Sequence, residues 1–478
     1  MTEPPAFRPH GAVAIAGAAG FVGRALAASL AGRRKVIGLA RRPPQGFRDV
    51  EWRRCDLFSL LQVEEALRGA EQAVYLVHSM LPSAHLTQGA FQDFDLICAD
   101  NFARAAARAK VRHIVYLGGL IPDEPCLSRH LSSRLEVEQT LAARGVPVTA
   151  LRASIIIGPG GSSFRMFRTL VERLPVIPCP ASAQSLTQPI ALEDVLALLR
   201  WCLEHPAALS RSWDIGAADV MTYRKLLERT AGLLRVKRRF VGVPVIGTFG
   251  FGRWLSIVTG APKALVAPLV ESIEHSMVCR DHHLQEAAGV PGIPFDAAVR
   301  DAAAREDELG AAGQEVQPLT ARPWLELYQH DVRSVQRMVL PPGRTARWAA
   351  EQYSAWLPRF FRLLLRVEVD HRCNVRFRLP LTRTPLLELE FAHERNAETS
   401  RQVFYITGGA LARKTVRATG RPRLEFREVL RDGVLLVGIH DYRPTLPWPV
   451  YNCTQALIHL LVMRAFARWM SGLEPPEE

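Results

Sequence analysis

The 478-residue sequence has no Cys-x-x-Cys pair and no compact cysteine cluster. Its eight cysteines, Cys55, Cys98, Cys126, Cys179, Cys202, Cys279, Cys373 and Cys453, stand far apart. That spacing excludes a zinc framework or a small disulfide scaffold and predicts free thiols in a reducing compartment. His371, His393, His440 and His459 share no metal-ligand spacing, so no metal is expected. Long apolar runs are missing too, since charge or proline breaks each one. The N-terminal MTEPPAFRPHGAVAIAG has no basic segment followed by a long apolar stretch. A cytoplasmic protein is the resulting expectation. The net charge is +13, yet there is no Lys/Arg tract with interleaved aromatics; the basic residues are mostly scattered arginines, which argues against nucleic acid as a partner. No internal repeat of fixed period is present.

What the sequence does have is size and apolar content. With 48% hydrophobic residues over 478 positions, two or three domains are expected, because single cores stop growing well below this length. The first 200 residues or so alternate β-rich runs with amphipathic stretches, the rhythm of a parallel sheet flanked by helices. Strands are expected at 12–17, 35–39, 72–77, 113–117 and 147–152, and helices at 21–31, 59–68, 90–109 and 132–144. The fold class read from this is α/β: a Rossmann-type doubly wound parallel sheet over 1–205 with a small helical substrate-side lobe over 206–309. That lobe includes YRKLLERTAGLL, a Gly/Pro-rich stretch at 242–262 and a helix near 263–276.

The polar segment 310–329 reads as a linker to a different region, 330–478. There the runs VRFRLPL, LLELEFAH, RQVFYITGG, LEFREVL and GVLLVGIHDY precede a helix near 452–471. This predicts an α+β domain, an antiparallel sheet gripping one terminal helix, similar to helix-grip folds. His459, Arg464 and Arg468 interrupt the helix too often for a membrane span. Residues 331–478 hold 23 Lys+Arg and 15 Asp+Glu, so +8 of the +13 lies there. Peripheral contact with an anionic inner membrane face, or with an acidic partner, is the expectation that follows.

The strongest chemical signal is AVAIAGAAGFVGRALAASL. It places Gly17-x-x-Gly20-x-x-Gly23 directly after the first strand and at the start of a helix, the context of a dinucleotide fingerprint. Gly17 permits the tight turn, Gly20 lets backbone N–H groups approach a pyrophosphate, and Gly23 allows close helix packing, with the helix N-terminus favouring the anion. Ala18, Ala19, Phe21 and Val22 complete the predicted cradle. The second strand, VIGLA, ends in Arg41 and Arg42, where an NAD-preferring protein usually presents a carboxylate. Two guanidiniums there favour a 2′-phosphate, hence NADP over NAD, the alternative being two solvated loop arginines.

With AGAAGFVG, CDL at 55–57, AVYLVHSM at 73–80, RHIVYLGGL at 112–120 and LRASIIIGPG at 151–160, the sequence resembles the atypical short-chain dehydrogenase/reductase family. HLSSRLEVE, SSFRMFRTLVERLP and QPIALEDV bring it nearest to a bacterial NAD(P)H-binding, NmrA-like branch, over roughly residues 11–280. The resemblance implies that Asp56 and Leu57 border the adenine, and that Val77, His78, Gly118, Ala153 and Ser154 flank the nicotinamide half. Asp56 as a simple helix cap is the other reading. The resemblance also exposes a departure. Active reductases of this superfamily carry Ser/Thr after the fifth strand and Tyr-x-x-x-Lys on the next helix. Here the strand ends in Gly118 and Gly119, and the helix offers His130-x-x-x-Arg134.

His130 and Arg134 share a helical face, which makes them the predicted catalytic pair: Arg134 holding ribose hydroxyls, His130 protonating a carbonyl. A neighbouring guanidinium would depress the histidine pKa, and a surface His130 with Arg134 as clamp or ion-pair partner is the competing reading. Glu136 and Glu138 follow on the same helix, and His78 and Ser79 form a second donor pair. Three functions remain open from the sequence: an NADP-dependent oxidoreductase acting on a small apolar carbonyl or quinone-like substrate; an NADP(H)-sensing or assembly protein; and a lipid or isoprenoid carrier acting through the C-terminal domain.

Overall fold

The structure, a computed structural model, describes residues 11–44, 49–78, 86–205, 211–243, 248–311, 331–361, 365–413, 421–430 and 433–473. It divides into two compact units, Met1–Leu81 with Cys98–Ala321, and Pro82–Ile97 with Arg322–Glu478. The sequence reading assigns 1–205 to one domain, whereas residues 82–97 fall in the second unit. The cause is the strand Leu86–Gln88, which pairs in parallel with Val332–Ser334. Most of the expected linker 310–329 lies outside the described residues.

The first unit is built on a seven-stranded sheet. Its strands are β1 (Val13–Ala16), β2 (Val36–Ala40), β3 (Val50–Arg54), β4 (Gln72–Tyr75), β5 (His113–Gly119), β6 (Val148–Ala153) and β7 (Ser212–Ile215). They lie in the order β7-β6-β5-β4-β1-β2-β3, and every pairing is parallel. The central strands β1, β2 and β4 are buried along their whole length, as a sheet covered on both faces requires.

One face is closed by Leu60, Val63, Phe102 and Leu141, the other by Leu26, Leu30, Leu198 and Leu199. These side chains come from the helices α1 (Phe21–Leu30), α2 (Leu60–Ala66), α3 (Phe91–Arg108), α4 (Arg129–Ala142) and, after α5 (Ser162–Arg173), α6 (Leu192–Glu204). In α1 the buried positions Gly23, Leu26, Ala27 and Leu30 follow the spacing of a helix with one apolar face. The order of strands reverses between β4 and β1, so a crevice opens at their C-terminal ends, the place where such sheets receive ligands. The doubly wound fold expected from the sequence is the one observed.

Two of the seven strands were not legible. Val50–Arg54 is an edge strand whose last four residues are not fully buried, so VEWRR shows no clean apolar alternation. Ser212–Ile215 buries an aspartate, Asp214, which accepts from Arg280 at 2.7 Å and 2.8 Å. The lobe also departs from expectation. Inside the Gly/Pro-rich stretch 242–262 runs a helix, α8 (Thr248–Thr259), after α7 (Tyr223–Leu233) and before α9 (Lys263–Ser272).

The second unit holds an eight-stranded sheet that runs Arg366–Val369, Val375–Arg378, Leu387–Phe391, Arg401–Gly408, Arg423–Val429, Val434–Tyr442, Val332–Val339, Leu86–Gln88. All pairings except the last are antiparallel. More than the one expected helix packs its core: among the described residues Ala346–Phe361 contributes Tyr353 and Trp356, Trp448–Cys453 contributes Tyr451, and Gln455–Ser471 contributes Phe466 and Met470. Four of the scattered arginines, Arg333, Arg401, Arg423 and Arg427, are buried. Glu425 accepts from Arg401 at 2.7 Å and from Arg423 at 3.2 Å, and Asp441 from Arg423 at 2.9 Å. Part of the +8 is therefore internal. No helix among the described residues is long and apolar enough to cross a membrane, and none of the eight cysteines is in a disulfide.

His113, at the start of β5, is buried with Nε2 2.7 Å from Thr149 Oγ1, and burial holds its pKa down from 6.5 to about 4. The folded state then binds fewer protons than the unfolded one at acid pH. Its contribution is complete above pH 6.5 and is lost as pH falls from 6.5 towards 4, at up to about 1.4 kcal/mol per pH unit. Urea unfolding across this range is expected to show a shallower acid loss for His113→Gln than for wild type; identical slopes would contradict it.

Candidate functional site

The glycine turn occupies the crevice at the switch point. Gly17 has φ +85°, a left-handed conformation that favours glycine, and a Cβ there would lie 3.1 Å from the Leu76 carbonyl oxygen and from Val77 Cγ2. Gly20 caps α1, and its N–H donates to the Gly17 carbonyl at 2.8 Å. Gly23 lies closest: an added Cβ would sit 2.1 Å from the Gly17 oxygen and 2.8 Å from Ala18 Cα. The close approach expected of the third glycine is thus an observed contact. The cap of α1 has no side-chain hydrogen bond and no acidic residue follows in the first turn, which leaves that positive helix end suited to a phosphate. The donor set fits a dinucleotide.

From this turn a cavity of about 380 Å³ extends through the first unit. Gly17, Gly20, Phe21, Val22 and Gly23 line its entrance, followed by the strand ends Leu76, His78, Leu117, Gly118, Gly119, Ala153 and Ser154. Beyond them the wall becomes apolar, with Met166, Phe167, Leu170, Phe251, Trp254, Leu255 and Val270. His130 and Arg134 also line the cavity. The structure therefore gathers the glycines, His78, Gly118, Ala153, His130 and Arg134 around one space. Ala18 is buried in the core beneath the turn, and the carbonyl of Ala19 accepts from Arg24 Nε at 2.9 Å. Arg41 is half-buried and Arg42 exposed immediately after β2. Ser79 lies outside the described residues.

Asp56 and Leu57 hold local structure. The Asp56 carboxylate accepts from the Phe58 N–H at 3.2 Å, and the Leu57 carbonyl accepts from Asn101 Nδ2 at 2.8 Å. Glu138, on α4, forms a bidentate pair with Arg152 at 2.7 Å and 2.9 Å, which fastens the helix to β6.

The absent hydroxyl and the His/Arg pair have distinct physical settings. A Cβ on Gly118 would meet the Tyr116 ring at 2.7 Å, whereas one on Gly119 would meet Arg134 Cγ at an ordinary 3.4 Å. Packing thus demands glycine at 118 but not at 119. Arg134 is buried, and its carbonyl accepts from Tyr116 OH at 3.2 Å. His130 is half-buried, with Nδ1 2.9 Å from Ser272 Oγ at the end of α9. Burial foremost, then the Arg134 guanidinium and His78, lower its pKa from 6.5 to about 3. The depression expected from Arg134 is present, though desolvation is the larger cause. At neutral pH the imidazole is uncharged and has no imidazolium proton to give.

Sequence reasoning missed Ser272, Thr187 and Tyr223. Ser272 and Tyr223 line the cavity, but each is brought there by a segment far along the chain from the glycine turn.

Residues 13–216 match the model of the NAD dependent epimerase/dehydratase family. Among individual proteins, the chain is similar to the auxiliary protein GraX of Staphylococcus aureus, 30% identical over 139 residues, or 28% of this chain and 42% of that protein. The match thus spans under half of GraX. It is similar to the ceramide reductase of Caulobacter vibrioides, 30% identical over 252 residues, 51% of this chain and 77% of that enzyme. It is also similar to the (4-alkanoyl-5-oxo-2,5-dihydrofuran-3-yl)methyl phosphate reductase of Streptomyces griseus, 30% identical over 300 residues, 59% of this chain and 95% of that enzyme.

The Gly23 contact supplies a direct test of the turn. In Gly23→Ala the methyl would sit 2.1 Å from a backbone oxygen, so α1 must move away from β1. Nicotinamide dinucleotide binding, followed by protein fluorescence quenching, is expected to weaken at least about tenfold, the loss of a charge-assisted hydrogen bond or more. An unchanged affinity would contradict this.

Proposed function

We propose a function from one premise, that the chain belongs to the NAD dependent epimerase/dehydratase family: it is an NADP(H)-dependent oxidoreductase that reduces an apolar carbonyl or quinone-like compound. The observation that carries this reading is the single cavity running from the Gly17–Gly23 turn, past the ends of β4, β5 and β6, into a lobe walled by Met166, Phe167, Leu170, Phe251 and Trp254. Two similar proteins are named reductases, which supports reduction as the direction.

In this reading the backbone at Gly17 and Gly20 holds the pyrophosphate, Arg41 and Arg42 hold the 2′-phosphate, and Arg134 holds ribose. When bound, the cofactor supplies a hydride at the nicotinamide ring. The neutral His130, braced by Ser272, orients bound groups by hydrogen bonding. The apolar lobe excludes water and takes the hydrocarbon part of the substrate, since burying apolar surface is the driving force available there.

The second reading, an NADP(H)-sensing or assembly protein, is favoured by Gly119 and His130-x-x-x-Arg134 standing where active reductases carry Ser/Thr and Tyr-x-x-x-Lys. The two readings part on turnover. The full chain with NADPH and a panel of apolar carbonyls and quinones is expected to oxidise the cofactor with at least one of them; NADPH binding without oxidation by any would overturn the enzyme reading.

Cofactor choice is tested separately. Arg41→Ala/Arg42→Ala is expected to raise the Kd for NADPH about tenfold or more while leaving NADH within about twofold, as removal of charge-assisted contacts to one phosphate predicts. An equal effect on both cofactors would contradict the NADP assignment.

A further inference from the structure

Beyond the family pattern, the cavity contains a hydroxyl group of hydrogen-bond donors on elements remote from α4. Ser154 follows β6 directly, and its Oγ is 2.7 Å from Thr187 Oγ1. The Tyr223 hydroxyl lies beside Thr187 and Ser154. Ser154 and Tyr223 line the cavity, while Thr187 is fully buried behind them. The trio is held firmly. Thr187 pairs with Met221 on the short strand just before α7, and Tyr223 is the first residue of that helix. Thr222 Oγ1 caps α7 by accepting from the Lys225 N–H at 3.1 Å, and the Tyr223 N–H donates to the Ser185 carbonyl at 3.2 Å.

The position of these hydroxyls is informative. Ser154 adjoins Ala153 at the strand ends, and Tyr223 lies on the same helix as Leu227 of the apolar wall. They therefore stand where the polar, cofactor-receiving part of the cavity gives way to the apolar lobe. An apolar substrate with one carbonyl needs a donor at that boundary. Each hydroxyl carries one hydrogen and two acceptor sites. Two hydrogen bonds suffice to link three oxygens, so one hydrogen can turn towards a ligand without breaking up the trio.

Resting on the reductase reading above, we propose that Tyr223 receives the substrate's carbonyl oxygen and delivers its proton, with Ser154 and Thr187 as positioning residues beside it. As the carbonyl carbon takes the hydride supplied by the reduced nicotinamide, the Tyr223 O–H bond breaks and the O–H bond of the product alcohol forms. The phenolate left behind accepts hydrogens from Ser154 and Thr187. Water returns its proton once the product has gone. Burial raises the Tyr223 pKa to about 12, against the hydrogen bonds from Thr187 and Ser154 that lower it, so the proton is in place throughout the neutral range.

The test uses the full chain with NADP+ and 1-decanol as an apolar alcohol probe, and with NADPH and decanal for turnover. Alkaline titration of tyrosinate absorbance in the NADP+ complex is expected to show one ionisation that shifts when 1-decanol is added, and no such shift in Tyr223→Phe. With decanal, Tyr223→Phe is expected to lower kcat about 100-fold or more with the Kd for NADPH unchanged. Thr187→Val is expected to lower kcat with little change in KM, and Thr187→Ser to restore it. A Tyr223→Phe variant within about threefold of wild type, or a wild type whose tyrosine ionisation ignores 1-decanol, would overturn the proposal. Failure of wild type to oxidise NADPH with any carbonyl overturns the reductase reading instead, and the decanol-dependent ionisation then still decides whether Tyr223 meets the ligand.

Discussion

Everything in the first unit depends on how closely α1 approaches β1. A Cβ on Gly23 would stand 2.1 Å from the Gly17 oxygen, so the chain can turn from strand to helix in this way only with glycine at both ends of the turn. That closeness brings the uncapped N-terminus of α1 to the point where the strand order reverses. Backbone N–H groups then face the crevice instead of a capping side chain, and a phosphate can take the place of the cap. The fit of this turn to a phosphate is thus a consequence of packing.

From that fixed point the cavity changes character along its length. Its lining combines the glycine turn and Arg134, the hydroxyls and imidazoles of Ser154, Tyr223, His78 and His130, and the aromatic and aliphatic side chains of the lobe. Such a lining suits a ligand that is polar at one end and hydrocarbon at the other. It also explains why the His130/Arg134 pair is a poor guide to the chemistry. The enclosure that builds the cavity, with the Arg134 guanidinium, lowers the His130 pKa to about 3 and favours its neutral form. The same enclosure leaves a phenol protonated. Burial disfavours the charged form, so it deprotonates a cationic acid and keeps a neutral one protonated.

How much was legible follows from how local each signal is. The glycine fingerprint and the central strands β1, β2 and β4 could be read because turn residues, continuous apolar runs and helix caps adjoin in sequence. The edge strand Val50–Arg54 could not, since three of its five residues are charged and only Val50 is fully buried. The three-residue strand Leu86–Gln88 owes its existence to a partner near residue 332. Arg333 and Arg423 pair with Asp441, and Arg401 with Glu425, across neighbouring strands that sequence alone does not bring together. In the site, Ser154 was legible from its motif, but its partners Thr187 and Tyr223 come from later segments, and no spacing rule joins residues that meet only through the fold.

The central claim is that one cavity holds a nicotinamide cofactor at the glycine turn and presents its reactive ring to the hydroxyls of Ser154 and Tyr223. A crystal structure of the full chain with NADP+ tests it most directly. The account predicts pyrophosphate oxygens within hydrogen-bonding distance of backbone N–H groups between Gly17 and Phe21, and nicotinamide C4 facing the space bordered by Ser154 and Tyr223. A pyrophosphate bound elsewhere, or a ring turned with C4 away from those hydroxyls, would contradict it.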